Sequence, residues 1–68
     1  METVRSVHRD FYVDYTRDGT WTVTGIVHCY TGRRLLPPAF TYPDRATAER
    51  YAKAAIDLQL DRVIHPPV

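Results

Sequence analysis

The stretch from Val7 to Tyr30, VHRDFYVDYTRDGTWTVTGIVHCY, decides the fold. In its first half Val7, Arg9, Phe11, Val13 and Tyr15 alternate with His8, Asp10, Tyr12 and Asp14, the period of a strand with one buried face. Arg17-Asp18-Gly19 is a turn signal. Thr20 to Tyr30 is then rich in β-branched and aromatic residues, so the two halves read as a hairpin. A two-residue turn at Asp18-Gly19 sets Val13 against Thr24 and Tyr15 against Thr22. A three-residue turn with Gly19 left-handed sets Val13 beside Val23 and Tyr15 beside Trp21. The second register gathers the apolar residues on one face and lays the Phe11 ring over the bare backbone of Gly25, so it is the one expected.

Working outward, Thr31-Gly32 marks the next turn, and Arg33 to Thr41 makes a third strand interrupted by Pro37-Pro38. Two prolines cannot donate to a ladder, so this is an edge strand with a bulge or bend, after which Phe40 and Tyr42 face Val23 and Trp21. Asp44 is the N-cap of a helix from about Arg45 to Leu60. Ala48, Tyr51, Ala52, Ala55, Leu58 and Gln59 fall within its inward arc, with Ile56 on the margin. Arg50, Lys53 and Asp57 point to water, Lys53 and Asp57 as an i,i+4 pair. Val63-Ile64 reads as a short closing strand before Pro66.

The expected class is therefore α+β: a three-stranded antiparallel meander in the order 1-2-3, covered on one face by a single C-terminal helix, in one domain spanning residues 1–68. Its predicted core is Phe11, Val13, Tyr15, Trp21, Val23, Val27, Phe40, Ala48, Tyr51, Ala52, Ala55 and Leu58.

Size and composition exclude several functions. A chain of 68 residues buries only about 60% of its unfolded surface and holds a net stability of about 3–5 kcal/mol, too little to carve a deep substrate pocket from the core. The lone Cys29 forms no internal disulfide, which fits a reducing cytoplasm, and it is read as an inward packing residue. No signal peptide and no run of apolar residues long enough for a membrane span is read. Nine Lys+Arg against eight Asp+Glu give a net charge of +1, not the one-signed footprint of a dedicated nucleic-acid binder. No phosphate-cradling glycine loop, nucleophile elbow or zinc-binding helix motif occurs, so neither an enzyme nor a cofactor is expected.

The outward sheet face carries the candidate binding residues Tyr12, Thr22, Thr24, Ile26, His28 and Tyr30, joined from the third strand by Arg34 and Leu36, with Arg33 a further candidate beside the Thr31-Gly32 turn. Tyr, Ile, Leu and Arg together have the composition of a protein interface. In the expected register His8 lies opposite His28 with Asp10 one diagonal step away. Two imidazoles and one carboxylate lack a fourth ligand and outer support, so no metal is expected. The leading functional expectation is a small non-enzymatic binding protein that docks on a protein partner through this open face. Self-association through the face or the edge strands is its plainest form.

Gly19-Thr20-Trp21-Thr22-Val23-Thr24, then Thr31-Gly32-Arg33-Arg34, then Phe40 and Ala48-Glu49-Arg50-Tyr51-Ala52 resemble, in order, the landmarks of the AP2-like or arm-binding domains at the N-terminus of phage-type tyrosine integrases. The chain is also similar to short proteins of phages and GC-rich proteobacteria. The resemblance covers roughly residues 11–60 and implies the same strand-and-helix fold, with the exposed sheet face in the DNA major groove. The matching positions are Arg17, Thr22, Thr24, Arg33 and Arg34. It implies a phage or mobile-element setting for the leading expectation and a DNA-binding module as the second. Asp10 and Asp14, read onto that same face, depart from the basic pattern and set the order of the two.

Overall fold

In the computed structural model, which describes the backbone of residues 1–64 and the side chains of residues 1–61, the first alternating stretch is a hairpin rather than one strand. β1 (Glu2–His8) turns through Arg9 and Asp10 into β2 (Phe11–Asp18). Both turn residues have positive φ, 52° and 65°, as a type I′ turn requires. Such turns favour Asn and Gly, so Arg9 and Asp10 do not announce one. Tertiary bonds hold them there. The Cys29 amide donates to the Asp10 carbonyl at 2.8 Å, and the Arg9 guanidinium donates to Asp57 and Asp61 on the helix at 3.1 and 3.3 Å.

A two-residue turn inverts parity. Val4, Ser6 and His8 of β1 share the inner face with Phe11, Val13 and Tyr15 of β2, while Val7, expected beside Phe11, faces outward and is 57% exposed.

β3 (Thr20–His28) pairs with β2 in neither of the two registers weighed from the sequence. Tyr15 lies opposite Val23 and Arg17 opposite Trp21, around a loop centred on Gly19 at φ 76°. The slip from the expected register is an even number of residues, so Trp21 and Val23 still face inward. The Tyr15 and Trp21 rings meet edge to face at 6.4 Å on the diagonal instead of directly across. Beyond Tyr15 the ladder bulges. Thr24 has no partner, and Asp14 pairs with Gly25, Val13 with Ile26 and Phe11 with His28. One extra residue exchanges the faces of everything after it. Ile26, expected outward, is 2% exposed in the core, whereas Val27, expected in the core, is half-buried on the outer face. Gly25 stands opposite Asp14, not Phe11.

The third strand survives as two short pieces on the far edge of β3. β4 (Arg34–Leu35) sets Leu35 against Ile26, and β5 (Thr41–Tyr42) sets Tyr42 against Trp21. The intervening residues 36–40 leave the ladder at Pro37-Pro38, as two residues without N–H groups dictate. Phe40 sits in this detour and is 71% exposed, not packed on Val23 as expected. The sheet order is β1-β2-β3-β4, with β5 also on β3, so the meander is as read and β1 adds a strand to it.

α1 (Arg45–Ile64) begins where the cap was read: the Thr47 amide donates to Asp44 Oδ1 at 2.7 Å. That bond holds the Asp44 carboxyl below its ordinary value. The helix runs past Leu60, so Val63-Ile64 are its last turn and not a strand. Its buried line is Ala48, Ala52 and Ile56, spaced by four residues, with Leu60 partly buried beyond them. The expected arc is thus rotated: Ile56 moves from margin to centre, Ala55 is half-buried, and Tyr51 and Leu58 come to the surface. Two contacts fix the rotation. The Tyr51 ring stacks on Tyr42 at 5.0 Å and 10°, and the Asp57 carboxylate, expected to pair with Lys53, is bonded by His8 and Arg9. The buried cluster is Phe11, Val13, Tyr15, Trp21, Val23, Ile26, Leu35, Tyr42, Ala48, Ala52 and Ile56.

Candidate binding surface

The open face of the sheet keeps Tyr12, Thr22, Thr24 and Arg34 from the expected set. Ile26 is withdrawn into the core by the bulge. Tyr30 is exposed in the turn after β3 instead of on the sheet, Arg33 is exposed in the same turn, and Leu36 is exposed just past β4, its backbone N–H and C=O bonded to the Gln59 side chain at 3.0 and 2.9 Å. At the centre of the face Arg5 makes two hydrogen bonds to Asp14, at 2.7 and 3.2 Å, and lays its guanidinium over the Tyr12 ring at 4.7 Å. Glu2 stands 3.6 Å from Arg17. Arg5 on this face therefore carries its own counter-charge, and so does Arg17, which strand parity places on the inner side with Tyr15 and Trp21 and not on the open face where it was expected. Arg33 and Arg34 make no ion pair among the described residues.

His8 and His28 are not outward neighbours. Both lie on the inner face with Phe11 between them, because β2 separates β1 from β3. His28 meets the Phe11 ring edge-on at 4.9 Å, and its Nδ1 accepts from the Tyr30 and Thr31 amides at 3.2 and 3.1 Å. It is a turn-capping side chain. The Nε2 of His8 is 2.9 Å from Asp57 Oδ1. The Asp57 carboxyl is held below its ordinary value by the His8 hydrogen bond first and the Arg9 bond second. No cluster of three metal-ligating side chains occurs among the described residues. Cys29 is a half-buried free thiol in the turn after β3, outside the core cluster where it was expected.

An apolar surface lies on the helix side, where the sequence placed core. A groove runs between α1 and the 36–40 detour, walled by Pro38, Phe40, Tyr51, Ala54, Ala55 and Leu58, with Tyr42 at its base. Phe40, Tyr51 and Leu58 are 71, 48 and 64% exposed. The Tyr42 hydroxyl, enclosed beneath them, has no hydrogen-bond partner among the described residues. Leaving such a group unpaired costs about 1–3 kcal/mol. The signal that could have found this groove is Pro37-Pro38. If the prolines push the chain out of the ladder, Phe40 leaves with it, and the helix flank it was to cover is left open.

No described helix is long and apolar enough to cross a membrane. No protein-family model matches the chain, and no curated protein or solved structure is significantly similar to it.

Proposed function

We propose that the chain is a small non-enzymatic binding module that docks on a protein partner through the groove between α1 and the proline detour. The observation that supports this reading is the side-by-side exposure of Phe40, Tyr51 and Leu58. Single exposed apolar residues are ordinary, but a contiguous aromatic and aliphatic patch over a concave surface is the form of a recognition site. A polypeptide inserting an apolar side chain beside a polar group would cover the patch and offer the Tyr42 hydroxyl a partner. The open face is less suited to this role, because its centre is an internally neutralised Arg5–Asp14 pair on Tyr12.

The test is affinity capture from host lysate, with and without nuclease, comparing the wild type with Phe40→Ser/Leu58→Ser and with Tyr12→Ala/Arg34→Ala, each shown folded by circular dichroism. A protein partner that survives nuclease and is lost only in the groove variant supports the proposal. Loss only in the open-face variant moves docking to the sheet. Retention of nucleic acid alone, with affinity falling steeply as salt rises and abolished by Arg33→Ala/Arg34→Ala, replaces the proposal with DNA binding.

A further inference from the structure

The two edges of the sheet are not alike. The β4–β5 edge is broken into two short pieces around Pro37-Pro38, the usual protection against edge-to-edge pairing. The β1 edge is seven residues long, contains no proline and no bulge, and is covered by no described strand. Its free groups can be assigned. A two-residue turn closes on a pair that exchanges both backbone hydrogen bonds, here His8 and Phe11, so the even residues of β1 bond toward β2. The N–H and C=O groups of Thr3, Arg5 and Val7 therefore point to the open edge.

The geometry points to a second copy of this chain as the occupant of that edge, paired antiparallel across a two-fold axis at Arg5. Antiparallel partners bond only where odd residue meets odd residue, and such registers also keep both helices on one face of a continuous sheet. Centring on Arg5 uses every free group: Thr3 with Val7, Arg5 with Arg5 and Val7 with Thr3, about six hydrogen bonds. Moving the axis to Val4 or Ser6 leaves one of the three pairs unmade. The side chains are self-complementary in the centred register. Glu2 lies opposite the second copy's His8, Val4 opposite Ser6, and the exposed Val7 is covered by Thr3. Two opposed arginines would repel, but each Arg5 is already held by its own Asp14, so the axis carries a neutral quartet of charges. This inference uses the β1 edge alone and stands apart from the groove.

Sedimentation equilibrium reads the result. The wild type is expected at the mass of two chains, and Arg5→Pro, whose lost N–H serves no bond within the chain, at 7.9 kDa with its far-ultraviolet spectrum retained. Phe40→Ser/Leu58→Ser is expected to stay at the mass of two chains. Register is read by cysteine crosslinking in a Cys29→Ser background. Arg5→Cys forms an intermolecular disulfide under mild oxidation, because paired strands place these Cα atoms about 5.5 Å apart, while Val4→Cys and Ser6→Cys do not. A wild type that stays at 7.9 kDa up to millimolar concentration overturns the inference, as does a dimer that persists in Arg5→Pro or crosslinks through Val4→Cys or Ser6→Cys.

Discussion

Ile56→Ala and Leu58→Ala separate the observed seating of the helix from the one its periodicity implies. Ile56 is fully buried against the sheet, and truncating such a side chain costs about 2–5 kcal/mol, the transfer of the lost methyl groups plus the cavity they leave. Leu58, two residues on, is 64% exposed on the groove wall, and truncating it changes stability by about 0.5 kcal/mol or less. A domain of this size holds about 3–5 kcal/mol in all, so Ile56→Ala leaves it near its midpoint at 25 °C while Leu58→Ala scarcely moves it. At about 4–8 °C per kcal/mol, the melting temperature of Ile56→Ala falls by at least about 8 °C and that of Leu58→Ala by less than about 4 °C. Urea titrations and thermal melts followed by Trp21 fluorescence measure the free-energy and melting-temperature changes, at one protein concentration so that any association is held constant. Equal losses in the two variants, or a larger loss for Leu58→Ala, would refute the rotation of α1 and with it the groove.

Acid should loosen the contact between the first turn and the helix. The depressed Asp57 carboxyl contributes stability that is fully present above its unfolded value and is lost as pH falls through the lower folded value, so Asp57→Asn should flatten the decline measured below about pH 4. Tyr42→Phe removes a hydroxyl that has no partner among the described residues, and calorimetry should find the free domain unchanged or more stable by about 1 kcal/mol. Asp10 occupies a positive-φ position and uses only its backbone there, so Asp10→Gly should raise stability by about 1 kcal/mol in urea titration, and a loss of that size would contradict the type I′ turn.

Local chemistry was legible in this sequence wherever the deciding residues were neighbours. Asp44 caps α1 because a carboxylate three residues before an orphan amide does so in any context. The alternation of Phe11, Val13 and Tyr15 fixed an inward face, and Pro37-Pro38 fixed a broken edge. What escaped depended on residues far apart. Arg9-Asp10 is a poor turn sequence held by Asp57, Asp61 and Cys29, so the missing β1 also hid Glu2, the counter-charge of Arg17. A glycine inside a strand, here Gly25, is compatible with a bulge, but only the ladder shows Thr24 as the extra residue and hence Ile26, not Val27, as core. The helix offers alanines on several sides, which orient it weakly; Tyr42 and His8 decide which side turns inward. Phe40, Tyr51 and Leu58 stand at core spacing, where apolar residues usually pack inward. A sheet this narrow has too little area to cover them.

The bonds from the Arg9-Asp10 turn to α1 join residues 48 to 52 positions apart. Loops of that length close late, after the β1–β2 and β2–β3 hairpins have formed from near neighbours, so these bonds belong to the downhill side of the folding barrier. Interactions made after the barrier govern escape from the native state and leave the speed of reaching it nearly untouched. The clamp thus sets the lifetime of the folded domain: weakening it shortens the time the chain resists a protease that waits for full opening, while refolding from denaturant proceeds at its original rate.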